Sequence, residues 1–206
     1  MIAKSDATDG SNTTLYWTKS LSDLSLTNYN KADGTNNYGY LPKPDGTFGG
    51  STHLSGDFTT WKAGALSDFN GKANTAIIAA ASSDARDMCT VLNTFNASDS
   101  HNDWYVPACG QLALMYLNMT EINAALAKIG GTALAAGYYW SSSEHSSSSA
   151  WGVDFNNGRV NNNYKDDSGR VRFIRDISVK PLKERVSDLE SQLGDINTIL
   201  ESIING

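Results

Sequence analysis

A change of hydrophobic period at Tyr138 constrains the fold more than any other feature of the sequence. Beyond it, apolar residues alternate with small or polar ones: Trp151, Val153 and Phe155 with Gly152, Asp154 and Asn156. A period of two is typical of a strand with one buried face. The pair Asn157-Gly158 signals a hairpin turn, and Val160 continues the alternation after it. The segment "GRVRFIRDI" predicts a closing strand.

The sequence before Tyr138 has a helical period instead. Apolar residues three or four positions apart predict one helix capped by Asn74, with a face made of Ile78, Ala81, Ala85, Met88, Cys89, Leu92 and Phe95. A second helix is indicated by Leu112, Met115, Tyr116 and Met119. A third, "TEINAALAKIGG", ends at Gly130-Gly131. Helices followed by antiparallel strands predict an α+β domain.

The expected organisation is one domain over residues 1–177 and a separate helix over residues 178–206. Residues 1–65 carry many Asp-Gly and Gly-Gly turn signals, which predict a loop-rich part with short strands.

The last segment has the pattern of a coiled coil. After Pro181, which suits a first helical turn, apolar residues follow a 4-3-4-3-4-3 spacing: Leu182, Val186, Leu189, Leu193, Ile196, Leu200 and Ile203. Arg185 and Glu190 fall at flanking positions where parallel neighbours attract each other. Leucine at a, isoleucine at d and the additional Ile199 favour a homotrimer. A helix that packs on its own domain is the alternative.

Charge and hydropathy exclude several classes of partner. The 206 residues carry a formal net charge of −6. Nucleic acids and anionic membranes attract basic surfaces, so neither is an expected partner. No stretch approaches ~18 continuous apolar residues, so membrane insertion is not expected. The start "MIAKSDATDG" lacks the apolar core of a signal peptide, so either that secretion route is not used or Met1 lies inside a longer protein.

The histidines do not indicate an enzyme. His53, His101 and His145 are isolated and match no catalytic or metal-ligand spacing. The many serines leave a Ser-His-Asp arrangement open, but no nucleophile-elbow motif supports one. We therefore expect no catalytic residue and no cofactor.

Two other residue pairs allow alternatives. Cys89 and Cys109 fit two buried free thiols better than a disulfide. Asp166 and Asp167 could hold calcium, although adjacent carboxylates in a polar loop are usually solvated, so no metal site is expected.

The serine run "WSSSEHSSSSAW" is bracketed by Trp140 and Trp151, which we expect to anchor it in the core. Ser141 and Glu144 are predicted to be structural, bonding the loop backbone, whereas residues 145–149 are predicted to be an exposed tip. Asparagine is a poor strand former, so the Asn-rich hairpin is either a soluble edge or a display surface. The alternation of apolar and polar residues along the hairpin favours a display surface.

Several blocks together resemble a known family over about residues 66–177: "ALSDFNGKANT", "NDWYVPACGQLALMY", "EINAALAKIGGTAL", "YYWSSSEHSSSSAWGVDF" and "SGRVRFIRDI". The family comprises the C-type-lectin-like variable proteins of gut bacteria and their phages, which diversity-generating retroelements diversify at adenines. The chain departs from that pattern because a coiled coil follows the variable region. The calcium-ligand motifs of true C-type lectins are absent, so calcium-dependent sugar binding is not implied.

The resemblance divides the hairpin region into two sets. It implies an invariant scaffold of Trp140, Glu144, Trp151, Val153, Phe155, Gly158, Val160, Arg170, Val171, Arg172 and Arg175. It implies a variable, ligand-binding set of His145, Ser147, Ser148, Ser149, Gly152, Asp154, Asn156, Asn157, Arg159, Asn161, Asn162, Asn163, Asp166, Asp167 and Ser168, to which Tyr164 is added. The types in the variable set are those that a mutated asparagine codon reaches.

These observations predict a non-enzymatic binding head of a phage tail fibre or receptor-binding protein, located on the virion. Its expected ligand is a host cell-surface protein or glycan. A bacterial surface or pilus-tip adhesin is the runner-up. A formylglycine-generating-like enzyme, to which the fold is similar, and a structural virion spacer are weaker alternatives.

Overall fold

The computed structural model describes residues 1–177 and 182–204. The chain divides into two compact units, Met1–Arg175 and Asp176–Gly206. Helices and antiparallel strands share the first unit, so the predicted α+β class is confirmed. None of the helices in the described residues is long and apolar enough to cross a membrane.

A four-stranded antiparallel sheet forms the centre of the first unit. Its strands are β2 (Gly39–Tyr40), β3 (Tyr138–Glu144), β4 (Ser149–Asp154) and β5 (Arg159–Tyr164). Their order is β2-β5-β4-β3, so the predicted hairpin β4–β5 lies inside the sheet. A second sheet pairs β1 (Leu15–Tyr16) with β6 (Ser168–Gly169). Two short 3-10 helices, Phe58–Thr60 and Ala65–Ser67, lie in the same loop-rich first part of the chain as β1 and β2.

The first predicted helix is two helices, α1 (Gly71–Ala81) and α2 (Met88–Ser98). The break follows from Asp87, whose buried carboxylate accepts hydrogen bonds from the backbone N–H groups of Ser83 and Asp84. These bonds hold residues 82–87 in a turn where the apolar spacing suggested continuity. Asn74 does not cap the helix, because it lies inside α1 and donates to Asp68.

The second and third helices are α3 (Cys109–Leu117) and α4 (Met119–Lys128). Met119 belongs to α4 rather than α3, because the chain bends at Asn118. The predicted stop at Gly130 is confirmed, since this residue has a φ of 68° that favours glycine.

Both faces of β4 are buried, which corrects for this strand the expected division into an apolar and a displayed face. Trp151, Val153 and Val160 pack into one core cluster. Trp140 and Ala150 pack into the other. β4 is an interior strand with a core cluster on each side, so the alternation of residue size does not separate core from solvent.

The closing segment is less regular than predicted. β6 covers only two residues, and Ile174 forms single bridges with Ile2 and Tyr105. The side chain of Arg172 also connects this segment to the rest of the unit. Its buried guanidinium donates to Asp6 and to the carbonyl oxygens of Ala3, Thr132 and Ala133.

The second unit contains α5 (Leu182–Ile204). The heptad residues named above are all exposed, from 43% at Val186 to 72% at Leu182. The predicted first-turn position of Pro181 lies outside the described residues.

Candidate functional site

A shallow pocket of about 580 Å³ opens at the end of the β4–β5 hairpin that lies opposite its turn. Two chain segments form it: the β3–β4 loop and the last residues of β5 with the following loop. Its lining consists of His145, Ser146, Ser148, Ser149, Asn162, Asn163, Tyr164 and Asp167. All but Ser146 belong to the predicted variable set. The fold therefore brings together residues that are up to 22 positions apart in the sequence.

The register of the sheet explains why these residues meet. Ser149 pairs with Tyr164, Ala150 with Asn163, and Trp151 with Asn162. The two asparagines and the tyrosine therefore lie beside the start of β4, where the β3–β4 loop also ends.

Ser149 is the centre of the hydrogen-bond network in the pocket. Its Oγ lies 2.9 Å from His145 Nδ1 and 2.8 Å from Ser146 Oγ, and it accepts a 3.4 Å bond from Asn162 Nδ2. Ser149 is only 6% exposed, so the expectation of an exposed tip at this position is wrong. Its burial follows from its place as the first residue of β4.

The pocket carries little charge. Partial burial lowers the pKa of His145, which keeps the imidazole neutral at pH 7. Asp167 supplies an exposed carboxylate, and the Tyr164 ring is 64% exposed. Hydroxyl, carboxamide and imidazole groups both donate and accept hydrogen bonds, so the pocket can bind polar groups in several orientations.

A buried ion pair lies directly behind the pocket. Lys165 donates through Nζ to Glu144 Oε1 and to the carbonyl oxygen of Ser22, the latter at 2.7 Å. Both charged side chains are fully buried. Glu144 Oε1 also accepts from the backbone N–H of Leu24 at 3.3 Å, which supports its predicted structural role.

The buried serines of β3 support the same wall. The pairing of β3 with β4 shifts register between Trp140 and Glu144, so the strand bulges. Ser141 Oγ donates to Trp151 O at 2.7 Å, and Ser143 Oγ donates to Asp68 Oδ2 at 2.7 Å. These hydroxyls satisfy polar groups in the core, so the first half of the serine run is strand rather than loop.

The turn end of the hairpin is built differently. Asp154 Oδ1 accepts from the backbone N–H of Asn156 at 2.9 Å, and Asn157 Oδ1 accepts from that of Arg159 at 3.0 Å. These side chains close the turn that residues 155–158 form. The predicted residues Asp154, Asn156, Asn157 and Arg159 therefore lie at the opposite end of the hairpin from the pocket.

The remaining predicted residues lie outside the pocket lining. Ser147, Asp166 and Ser168 are exposed beside it. Asn161 is half-buried, and its Nδ2 donates to Asn163 Oδ1. Gly152 is buried, and a Cβ there would lie 2.3 Å from Tyr139 O, so this position cannot display a side chain without a rearrangement.

Sequence reasoning missed Ser146 and Lys165. A signal for the ion pair exists: Glu144 is the one acidic residue between Glu121 and Asp154, and Lys165 the one basic residue between Arg159 and Arg170. Each is thus the single residue of its sign over a stretch of ten residues or more, although Lys128, Asp166 and Asp167 also lie in these stretches.

Neither cysteine has the features of a nucleophile. Cys89 and Cys109 are buried and free, as predicted, and burial raises the pKa of both thiols. Over residues 1–177 and 182–204, no cluster of three or more His, Cys, Asp or Glu side chains could hold a metal ion.

The first unit is an α+β scaffold with a shallow polar pocket at the ends of its central strands. The profile of the Lcl C-terminal domain family matches residues 6–175, and the chain belongs to this lectin-like family. No curated protein matches the chain significantly.

Proposed function

We propose that the first unit is the non-enzymatic binding head of a phage tail fibre or receptor-binding protein, and that its polar pocket contacts a protein or glycan on the host cell. One observation carries the proposal. The loop after β3 and the end of β5 place their serine, asparagine, tyrosine and aspartate side chains around one opening. Side chains of these types adapt to different polar ligands, as they do in antibody loops.

The pocket also suits diversification. The lining consists of His, Ser, Asn, Tyr and Asp, which are residue types implied for a mutated asparagine codon. Behind it, Trp151 is fully buried and donates through Nε1 to Tyr29 O at 2.7 Å. A fixed core behind a changeable rim is what a variable protein needs.

The proposal includes a parallel homotrimer through α5. Its exposed apolar seam repeats every heptad, and Arg185 of one helix would lie beside Glu190 of the next. Three heads would add weak single-site affinities as avidity.

Light scattering should give three chains per particle. Arg185→Glu or Glu190→Arg should weaken the trimer, and the two changes together should restore it; a monomeric wild type would overturn this part.

A matched pair of variants tests the pocket. Asn163→Ala with Tyr164→Ala removes two lining side chains, and Asn37→Ala with Tyr38→Ala removes the same residue types from another exposed site. The probes are an array of immobilised glycans and a panel of intact gut bacteria, with and without protease treatment. We expect the pocket variant to lose binding about tenfold or more, since exposed tyrosines carry much contact energy. Equal binding by both variants would overturn the proposal.

A bacterial surface or pilus-tip adhesin is the second candidate, and membership of the lectin-like family favours it equally. The same pocket would then bind a host or neighbouring cell. Tail genes next to the coding sequence would support the phage proposal, and a secretion signal upstream would support the adhesin.

A further inference from the structure

The buried pair Glu144–Lys165 connects two strands that do not touch in the sheet. β4 lies between β3 and β5, so the ends of these strands are about 10 Å apart at ordinary strand spacing. Glu144 is the last residue of β3, and Lys165 is the first residue after β5. Their side chains close this distance with a direct hydrogen bond.

The neighbours of the pair in the sequence are pocket residues. His145 follows Glu144, and Tyr164 precedes Lys165; both line the pocket. The backbone N–H of Lys165 donates to Ser148 O at 2.9 Å, and that of His145 donates to Ser149 O at 3.0 Å. The side-chain pair and the backbone bond from Lys165 to Ser148 O therefore both join the two segments that form the pocket.

The loop of residues 17–29 holds the lysine in place. Lys165 Nζ donates to Ser22 O and lies 4.8 Å from the centre of the Trp17 ring. Lys165 O accepts from the backbone N–H of Trp17 at 2.9 Å. Tyr29 N–H donates to Glu144 O at 3.1 Å, so the loop is bonded to both members of the pair.

Stability alone is a weak reason for this arrangement. Burying two charges costs several kcal/mol per ion, and apolar residues of similar volume often replace a buried pair without loss of stability. In addition, Glu144 Oε2 is buried without a hydrogen-bond partner in the described residues. The directional bond between the strand ends is what an apolar pair would not reproduce.

We infer that Glu144 and Lys165 are positioning residues, which fix the separation of the two pocket walls while the rim residues vary. The reason for keeping the walls apart rests on the proposed binding function of the pocket. The positioning itself is measurable without a ligand.

Two variants separate positioning from stability. Glu144→Met with Lys165→Met removes both charges and keeps the volume. It should melt near the wild-type temperature, because relief of two buried charges offsets the lost bonds to Leu24 N–H and Ser22 O, but it should lose the bond between the strand ends. Glu144→Gln keeps an oxygen that accepts from Lys165 but leaves the lysine without a counter-charge. It should therefore melt lower and keep the pocket in place.

Amide hydrogen exchange is the measurement, at a temperature well below unfolding. In the double methionine variant, the amides of His145 and Lys165 should exchange about tenfold faster or more, while that of Val153 stays unchanged. In Glu144→Gln, both should keep their local protection relative to Val153. Asp103→Asn, which breaks the distant ion pair with Arg175, should leave the pocket amides unaffected.

Faster exchange at His145 and Lys165 in Glu144→Gln than in the double methionine variant would overturn the inference. If exchange at His145 and Lys165 follows melting temperature in all variants, the pair only stabilises the fold. Loss of binding to the glycan and cell probes in the double methionine variant is a second expected result. If the wild type binds neither probe, the proposed function fails, whereas the exchange data still decide the positioning role.

Discussion

The two ends of the β4–β5 hairpin carry similar residues and use them in different ways. At the turn end, Asp154 and Asn157 bond the backbone of residues 156 and 159, and Gly158 lies against Leu41 and Tyr116. At the other end, the asparagines and the tyrosine line an opening. The same amide chemistry closes a turn in one place and lines an open pocket in the other.

Position along the hairpin, rather than the face of the strand, separates the residues that bond the turn backbone from those that line the pocket. Both faces of β4 are buried, so alternation alone does not mark a display surface. At the pocket end, the strand ends are joined by backbone bonds and by the buried Glu144–Lys165 pair, so the inferred positioning role would leave the rim side chains free to vary.

The largest effect is expected at the turn end. Gly158 has a φ of 77°, and a Cβ there would lie 2.7 Å from Leu41 O and 2.8 Å from the Tyr116 ring. Gly158→Ala should therefore lower the free energy of unfolding by about 2–4 kcal/mol, measured by urea denaturation. Gly46→Ala is the control, because it has a similar φ of 78° in open space and should cost about 1–2 kcal/mol. Equal losses would mean that the turn end is not packed as described.

A smaller effect is expected in the middle of the hairpin. Gly152→Asn places a side chain where the Cβ alone meets Tyr139 O and the Tyr138 ring, which should cost about 1–3 kcal/mol by overpacking. Ser147→Asn, at the exposed rim, should stay within about 0.5 kcal/mol. Thermal or urea unfolding of both variants checks this, and a neutral Gly152→Asn would return this position to the variable set.

The sequence predicted the fold class, the hairpin and the stop of α4, because these depend on local period and on glycine geometry. It did not predict the break between α1 and α2, which depends on Asp87 and its bonds to backbone N–H groups. Nor did it predict that the first serines lie in a strand, because a bulge satisfied by side-chain hydroxyls has no periodic signal.

The residues that line the candidate site could be predicted from the sequence, but which of them lie together could not. The resemblance supplied the residues of the pocket and those of the turn together, since both follow one alternating pattern. Only the pairing of Ser149 with Tyr164 shows which of them share an opening. Lys165 was missed because a lysine among polar residues ordinarily indicates a solvated position.

His145 gives the pocket end of the hairpin a pH dependence. Burial lowers its pKa in the folded state below the ordinary value of about 6.5, so the unfolded chain binds the proton more readily. Its contribution to stability is therefore present above pH ~6.5 and is lost as the pH falls through the folded-state pKa. Urea unfolding from pH 7.5 to 5 should show this loss, and His145→Asn should remove that part of it. An unchanged pH profile in His145→Asn would contradict the assignment.

The smallest effect on stability, and the finest test of the comparison, comes from two adjacent carboxylates. Asp166 and Asp167 are both exposed, but only Asp167 lines the pocket. Each substitution to alanine should change the free energy of unfolding by no more than about 0.5 kcal/mol, since surface changes away from special features are nearly neutral. Binding to the glycan array and to cells should nevertheless change for Asp167→Ala and stay the same for Asp166→Ala. Asp166 and Asp167 are adjacent and carry the same charge, so a general electrostatic effect would alter binding by both variants alike. A contact inside the pocket would alter binding by Asp167→Ala alone. If both bind as the wild type does, the ligand does not reach this wall, and the contact surface is limited to the rim formed by His145, Asn163 and Tyr164.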